Sequence, residues 1–298
     1  MEGDITRVIL WSIPRSSSTA FLKCLTYVPD TQVWYEPYLM SYYFYKFGKN
    51  RHNLVKVTNE LWGADIKDAD EDYTQGITGG YLAIDKTPFW IKQQLEAKPV
   101  GKKVVVSKDM AWGLEKQYQD RLPRGFQHTF LIRHPYQVFD SWKRSINRGI
   151  DDQNKKIVLQ DVPNFLLPEG YSYEEQYDLY LYVKQNINPN PVIIDNDDLL
   201  ANPGRVLKAY CEAVGIPYSD DLLHWKPGRE CFDEIWMVAK ELIFAHNLGG
   251  IHTETFKSTG FGNARPCPDR SELDDDVLLY SDTCLKYYEE MYAKRLKC

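Results

Sequence analysis

One α/β domain, with a mostly parallel central sheet flanked by helices in three layers, is the fold this sequence predicts for its 298 residues. Short apolar, β-branched runs recur as Val8-Ile9-Leu10-Trp11, Val104-Val105-Val106 and Thr129-Phe130-Leu131-Ile132. Each leads through a polar turn into a segment with helical apolar spacing, the pattern of parallel strands joined by crossover helices. Each unit also places a cation at or just beyond its strand end: Arg15, Lys108 and Arg133. In a parallel sheet the C-terminal strand ends share one edge, and ligands bind there. A ligand with several negative charges is therefore expected at that edge.

The first unit, Arg7 to Leu25, reads RVILWSIPRSSSTAFLKCL. After the strand, the loop Arg15-Ser16-Ser17-Ser18-Thr19 opens a helix through Phe21, Leu22 and Leu25. Unpaired N–H groups, hydroxyls and the positive end of the helix dipole suit phosphate or sulfate, and Arg15 adds a fixed charge. Taken alone, a Ser/Thr run can equally be a helix cap or turn. It is not the nucleotide-triphosphatase loop, because GxxxxGK[ST] requires glycines and a Lys-Ser/Thr pair that this stretch lacks.

Thr31 to Tyr35 reads as a second strand that delivers Glu36, either to the ligand edge or as a cap for the next helix. Tyr38 to Phe47 is dense in aromatics and reads as a buried helix with a few residues facing a pocket. Asn50 to Gly80 is a polar excursion or lid. The strand Lys102 to Ser107 runs into Lys108-Asp109-Met110, with a short helix expected from Trp112 to about Asp120. Pro135 starts a helix continued by Val138, Phe139, Trp142 and Ile146. Residues 148–170 read as loop, Ser172 to Asn186 as helix and Pro191 to Ile194 as strand. A helix from Pro203 stops at Gly215; Glu234 to Asn247 is expected to be helical, His246 to Gly262 a Gly-rich loop, and the last helix to begin near Ser271.

The hydrophobic share of 43% and charged share of 26% are ordinary for a globular chain. A formal charge of −6 argues against a nucleic-acid or membrane-surface binder, so the anion site must be local. No apolar run approaches a membrane span and the N-terminus has no signal-like stretch, so a cytoplasmic protein is expected. Cys24, Cys211, Cys231, Cys267, Cys284 and Cys298 show no CxxC pair or metal-ligand spacing, and no metal is expected. Nothing in the pattern sets an oligomeric state.

With these pieces placed, the chain resembles the sulfotransferases that use 3′-phosphoadenosine 5′-phosphosulfate (PAPS), over about residues 7–262. The resemblance implies their P-loop-like fold, PAPS as donor, its desulfated product PAP, and no metal. Pro14 to Thr19 resembles their 5′-phosphosulfate loop, and Arg133-His134-Pro135 with Ser141 resembles their 3′-phosphate motif. Asn196, before Asp197-Asp198-Leu199-Leu200, takes the place of a Tyr in their YEDL segment. Lys257-Ser258-Thr259-Gly260 sits where the family closes a late loop over the nucleotide.

The cytosolic small-molecule members carry Lys-x-His where this chain has Lys108-Asp109-Met110, and the late loop lacks their Arg-Lys-Gly pattern. In both respects the chain is similar to a divergent plant and invertebrate branch, part of it named after aminotransferases. Glu36 corresponds to the base of glycan sulfotransferases and is the first candidate general base here; Asp109 is the second and His134 the third. Arg15 and Lys108 are expected to stabilise charge on the leaving phosphate. The expected acceptor is a small organic molecule, hydroxylated, amine-bearing or aromatic. Two other readings remain: a catalytically silent PAP-binding protein, and a small-molecule kinase on a related fold, which would need a metal and a triphosphate loop.

Overall fold

The computed structural model describes residues 5–46, 77–83, 86–148, 158–162, 167–243 and 253–298. Much of the expected 50–80 excursion therefore lies outside the described residues, as do parts of the 148–170 loop, residues 244–247 of the helix expected from Glu234 and residues 246–252 of the Gly-rich loop.

Among the described residues the sheet has five strands: β1 (Thr6–Ser12), β2 (Thr31–Tyr35), β3 (Val104–Asp109), β4 (Gln127–Ile132) and β5 (Ile193–Asp195). Their order is β2-β3-β1-β4-β5 and every pairing is parallel. Side chains alternate between the two faces. Ile9, Trp11, Val105 and Phe130 pack one way, while Val8, Leu10, Val106 and Leu131 pack the other. Both faces are covered, which is why these strands read as nearly continuous apolar runs.

On the first face lie α2 (Pro37–Lys46), α3 (Pro88–Glu96), α4 (Pro135–Arg148), α5 (Tyr173–Asn186) and α9 (Asp275–Tyr292). On the second lie α1 (Ser18–Leu25), α7 (Pro203–Val214) and the chain around Phe232 and Phe256, the latter in α8 (Thr253–Lys257). The short α6 (Asn196–Ala201) leaves β5 directly. Helix starts follow local chemistry. Thr87 Oγ1 accepts from Trp90 N at 3.2 Å ahead of Pro88, and Asn202 Oδ1 accepts from Arg205 N at 3.2 Å ahead of Pro203. Gly215 ends α7 at φ 68°, a left-handed position that favours glycine.

Three expectations are corrected. The stretch expected as a helix from Trp112 forms two 3₁₀ turns, Ala111–Gly113 and Lys116–Arg121, separated by non-helical backbone at Leu114 and Glu115. The stretch expected as helical from Glu234 first makes a π turn, Cys231–Ile235, and then runs extended beside β2. There Met237 N donates to Val33 O at 2.8 Å and Tyr35 N to Met237 O at 3.1 Å. The open groups of edge strand β2 outcompete local helix propensity, and helix resumes only at Lys240. The last helix begins at Asp275, after a 3₁₀ turn closed by a capping box between Asp269 and Glu272.

Gly113 fixes where α2 sits. A Cβ there would lie 2.5 Å from both Leu39 Cα and Leu39 N, so the start of α2 rests on this turn. Gly113→Ala is expected to destabilise by about 1–3 kcal/mol, because backbone would have to move, and urea unfolding checks it.

Candidate active site

All five parallel strands deliver polar residues to their shared C-terminal edge. From β1 comes the loop to α1, in which Arg15 and Ser17 both take left-handed backbone at φ 60°. Left-handed turns of this kind gather successive N–H groups into a concave cradle for anions. Ser17 caps α1 without a side-chain bond to it, so the first-turn N–H groups face the loop. Ser16 Oγ is spent within the loop, donating to Ile13 O at 2.7 Å, and Thr19 Oγ1 lies 3.4 Å from Tyr35 OH.

From β4 comes Arg133, whose Nη1 donates to Arg15 O at 2.6 Å and whose Nε donates to Gln137 Oε1 at 2.9 Å. Arg15 Nε in turn donates to Ser141 Oγ on α4 at 3.3 Å. Arg15, Arg133 and Ser141, far apart in sequence, thus form one bonded group. Asn196, first residue of α6, joins it. In the amide orientation that satisfies both ends, its nitrogen donates to Ser17 Oγ and Ser16 O, each at 2.8 Å, and its oxygen accepts from Arg133 Nε at 3.2 Å.

β2 and β3 supply charges of both signs. Glu36 takes φ 52°, and its N–H donates to Lys108 O at 2.7 Å. Its carboxylate accepts from Lys108 Nζ in a closed ion pair, with Lys108 1% and Glu36 5% exposed. Lys108 Nζ also lies 5.1 Å from the centre of the Tyr35 ring. Asp109 is fully buried and caps α2: its carboxylate accepts from Tyr38 N at 2.7 Å, Leu39 N at 3.1 Å and Met110 N at 2.9 Å. Burial pushes this carboxyl up to about 7; the three donors pull it down and the Glu36 charge pushes it further up. His134 is lowered chiefly by burial, and its Nδ1 accepts from Tyr136 N at 3.3 Å.

The sequence-derived residues Arg15 to Thr19, Arg133, Ser141 and Asn196 are thus brought together, with Glu36, Lys108 and Asp109 beside them on the same edge. Lys257 to Gly260 are tied elsewhere. Trp225 Nε1 donates to Ser258 Oγ at 3.1 Å, Trp225 N donates to Thr259 O at 3.1 Å, and Gly260 pairs with His224. The cation that this part of the chain brings to Arg133 is Arg265. Gln137 Nε2 donates to Arg265 O at 3.0 Å, and the Arg265 charge lowers the Arg133 pKa, after the larger effects of burial, Asp197 and Tyr173. Sequence reasoning missed Arg265 because it lies in an irregular stretch; its only signal is a cation set against Pro266 and Pro268. Among the described residues no group of His, Cys, Asp and Glu has the arrangement of a metal site. None of the described helices is long and apolar enough to cross a membrane.

A cleft of about 440 Å³ opens between α2, the 3₁₀ turns and α5, beside Tyr42, Trp112, Glu115 and Asp178. None of Arg15, Glu36, Lys108 or Arg133 lines it. It is therefore distinct from the charged edge.

Fold and edge together define a parallel α/β protein with Arg15, Lys108 and Arg133 gathered at the C-terminal edge of its sheet. A family model described as a sulfotransferase domain matches residues 180–295. The branched-chain-amino-acid aminotransferase-like protein 1 of Arabidopsis thaliana is 25% identical over 228 residues, 76% of this chain and 33% of that protein. Sulfotransferase ppzF of Metarhizium majus (strain ARSEF 297) is 26% identical over 145 residues, 46% of this chain and 39% of that protein. The sulfotransferase domain from the Synechococcus PCC 7002 olefin synthase is similar in fold, with TM-score 0.52, 17% identity and 95% of each chain covered. The chain spans about a third to two-fifths of the length of these curated relatives. The family match and the Metarhizium relative make parts of this chain similar to sulfotransferases, and the solved neighbour shares its fold.

Proposed function

We propose that this chain transfers a sulfuryl group from PAPS to a hydroxyl or amine of a small organic acceptor. The observation that carries the reading is the bonded group Arg133, Arg15 and Ser141, set against the cradle at the start of α1. On this reading the edge takes two anions, as a nucleotide with 5′ and 3′ phosphates requires. The loop N–H groups with Arg15 hold the 5′ side, while Arg133, Ser141 and Arg265 hold the 3′-phosphate.

Transfer of this kind rests on positioning and charge stabilisation. As the donor bond breaks, negative charge grows on the 5′ side, where Arg15 and the Lys108 ammonium stabilise it. Glu36 receives the acceptor's proton as the new bond forms, which requires Lys108 to turn from the carboxylate toward the leaving oxygen. The closed Glu36–Lys108 pair favours one second reading, a PAP-binding protein without turnover. Incubation with PAPS and a panel of phenols, alcohols and amines separates the two, since only an enzyme releases PAP in an acceptor-dependent way.

Isothermal titration with PAP, with ATP plus Mg²⁺ as control, tests the donor. PAP is expected to bind and ATP not to. Arg133→Ala is expected to weaken PAP about 10- to 150-fold, since a charge-assisted hydrogen bond contributes about 1.5–3 kcal/mol. Unchanged affinity in a folded variant would remove Arg133 from the site, and ATP binding in place of PAP would sink the sulfotransferase reading.

A further inference from the structure

Lys23, in the last turn of α1, is 2% exposed. Its ammonium donates to main-chain carbonyls and not to a carboxylate: Gly228 O at 3.2 Å, Phe256 O at 3.4 Å and Thr255 O at 3.5 Å. Removing an ammonium from water without a counter-ion is costly. The carbonyls of Thr255 and Phe256, in the last turn of α8, offset part of that cost while also accepting from Ser258 Oγ at 2.7 Å and Gly228 N at 2.6 Å.

Three pieces of chain meet on this ammonium: α1, the 224–228 stretch and α8. The last two are legs of one arm, since Gly228 N donates to Phe256 O at 2.6 Å, Trp225 N donates to Thr259 O at 3.1 Å and His224 pairs with Gly260. Beyond Gly260 the arm runs to Arg265, whose carbonyl is held by Gln137, the residue that also accepts from Arg133. The phosphate loop leads into one end of α1 and the root of the arm is fastened at Lys23 near the other, about 7.5 Å along the axis from Ser18 at the helical rise.

We propose that Lys23 is a positioning residue that uses α1 as a spacer, holding Arg265 at a fixed distance from the Arg15 to Thr19 loop so that both phosphates of the nucleotide are gripped at once. The proposal rests on the donor reading above. A loose arm would leave the 5′ contacts in place and weaken only those to the 3′-phosphate.

The test compares wild type, Lys23→Met, Lys23→Arg and Arg265→Gln by titration with PAP and with adenosine 5′-phosphosulfate, which lacks the 3′-phosphate. Lys23→Met is expected to weaken PAP at least tenfold while changing adenosine 5′-phosphosulfate less than twofold. Lys23→Arg is expected to restore most of the loss. In an Arg265→Gln background Lys23→Met should cost little more, because the two act through one contact. Hydrogen exchange of the amides at 256–265 should quicken in Lys23→Met without any ligand. Equal weakening of both nucleotides, or unchanged exchange in the arm, would overturn the proposal. If wild type binds no PAP, the donor reading fails, while the exchange measurement still decides whether Lys23 holds the arm. Should Lys23→Met not fold, the same comparison is made with Lys23→Gln.

Discussion

Lys108→Met is expected to lose both turnover and stability, and the two losses can be separated. The ammonium it removes is 1% exposed and paired with the 5%-exposed Glu36. Removing one partner of such a pair leaves a buried charge uncompensated and costs about 3–5 kcal/mol. A donor aimed at developing charge contributes about 10²–10³ in kcat. Adding Glu36→Gln to Lys108→Met removes the stranded carboxylate, so stability should recover by most of that amount while turnover stays lost. Urea unfolding and steady-state kinetics on the same preparations read both. Recovery of turnover together with stability would show that Lys108 and Glu36 serve the fold and not the chemistry.

Lys108 also marks how far the sequence could be read. Its place at a strand end was legible, because the run Val104-Val105-Val106 has no other plausible state and the cation follows it in phase. Its partner was not. Glu36 and Lys108 stand 72 residues apart, and their contact follows from β2 and β3 being neighbours in the order β2-β3-β1-β4-β5, which no local pattern encodes. Asn196 was singled out only through the resemblance; its link to the loop depends on β5 lying beside β4. Residues 234–239 were misread for the converse reason, since the edge of β2 offers main-chain bonds that helical periodicity cannot anticipate. Lys23 carries no signal at all: a basic residue in a helix's last turn is ordinary, and only the arrival of α8 from 230 residues downstream makes it a clamp.

The same edge holds strained backbone. Arg15, Ser17 and Glu36 hold left-handed backbone without being glycine, at about 1–3 kcal/mol each. Each sits at the turn out of β1 or β2, where a straight exit would carry the side chain or N–H group away from its neighbours. Interlocking bonds keep them there, from Arg133 to Arg15 O and from Glu36 N to Lys108 O. The cost of the site is thereby spread over the two strand pairs that frame it.

Asp109 provides the second large effect, through pH. Its carboxyl is pushed up to about 7 in the folded chain, against about 3.9 unfolded. Between those values the native state binds more protons than the unfolded state, so stability falls as pH rises from about 4 to about 7, by at most about 4 kcal/mol. Asp109→Asn cannot titrate and presents an NH₂ where one carboxylate oxygen accepts from a main-chain N–H of Tyr38, Leu39 or Met110. The variant is expected to be less stable than wild type at pH 5, with the gap narrowing toward pH 8, as urea unfolding at the two pH values would show. A gap that does not change with pH would mean that Asp109 is ionised throughout. The same variant decides the general base. A carboxyl near 7 suits proton transfer at neutral pH, but the Asp109 oxygens are engaged by the main chain at the start of α2, the helix that Glu36 precedes. Asp109→Asn should therefore keep turnover within a few-fold at a temperature where it is folded, and Glu36→Gln should lose it by about 10²–10⁴. The opposite pattern would make Asp109 the base and Glu36 the counter-ion that holds Lys108 in place.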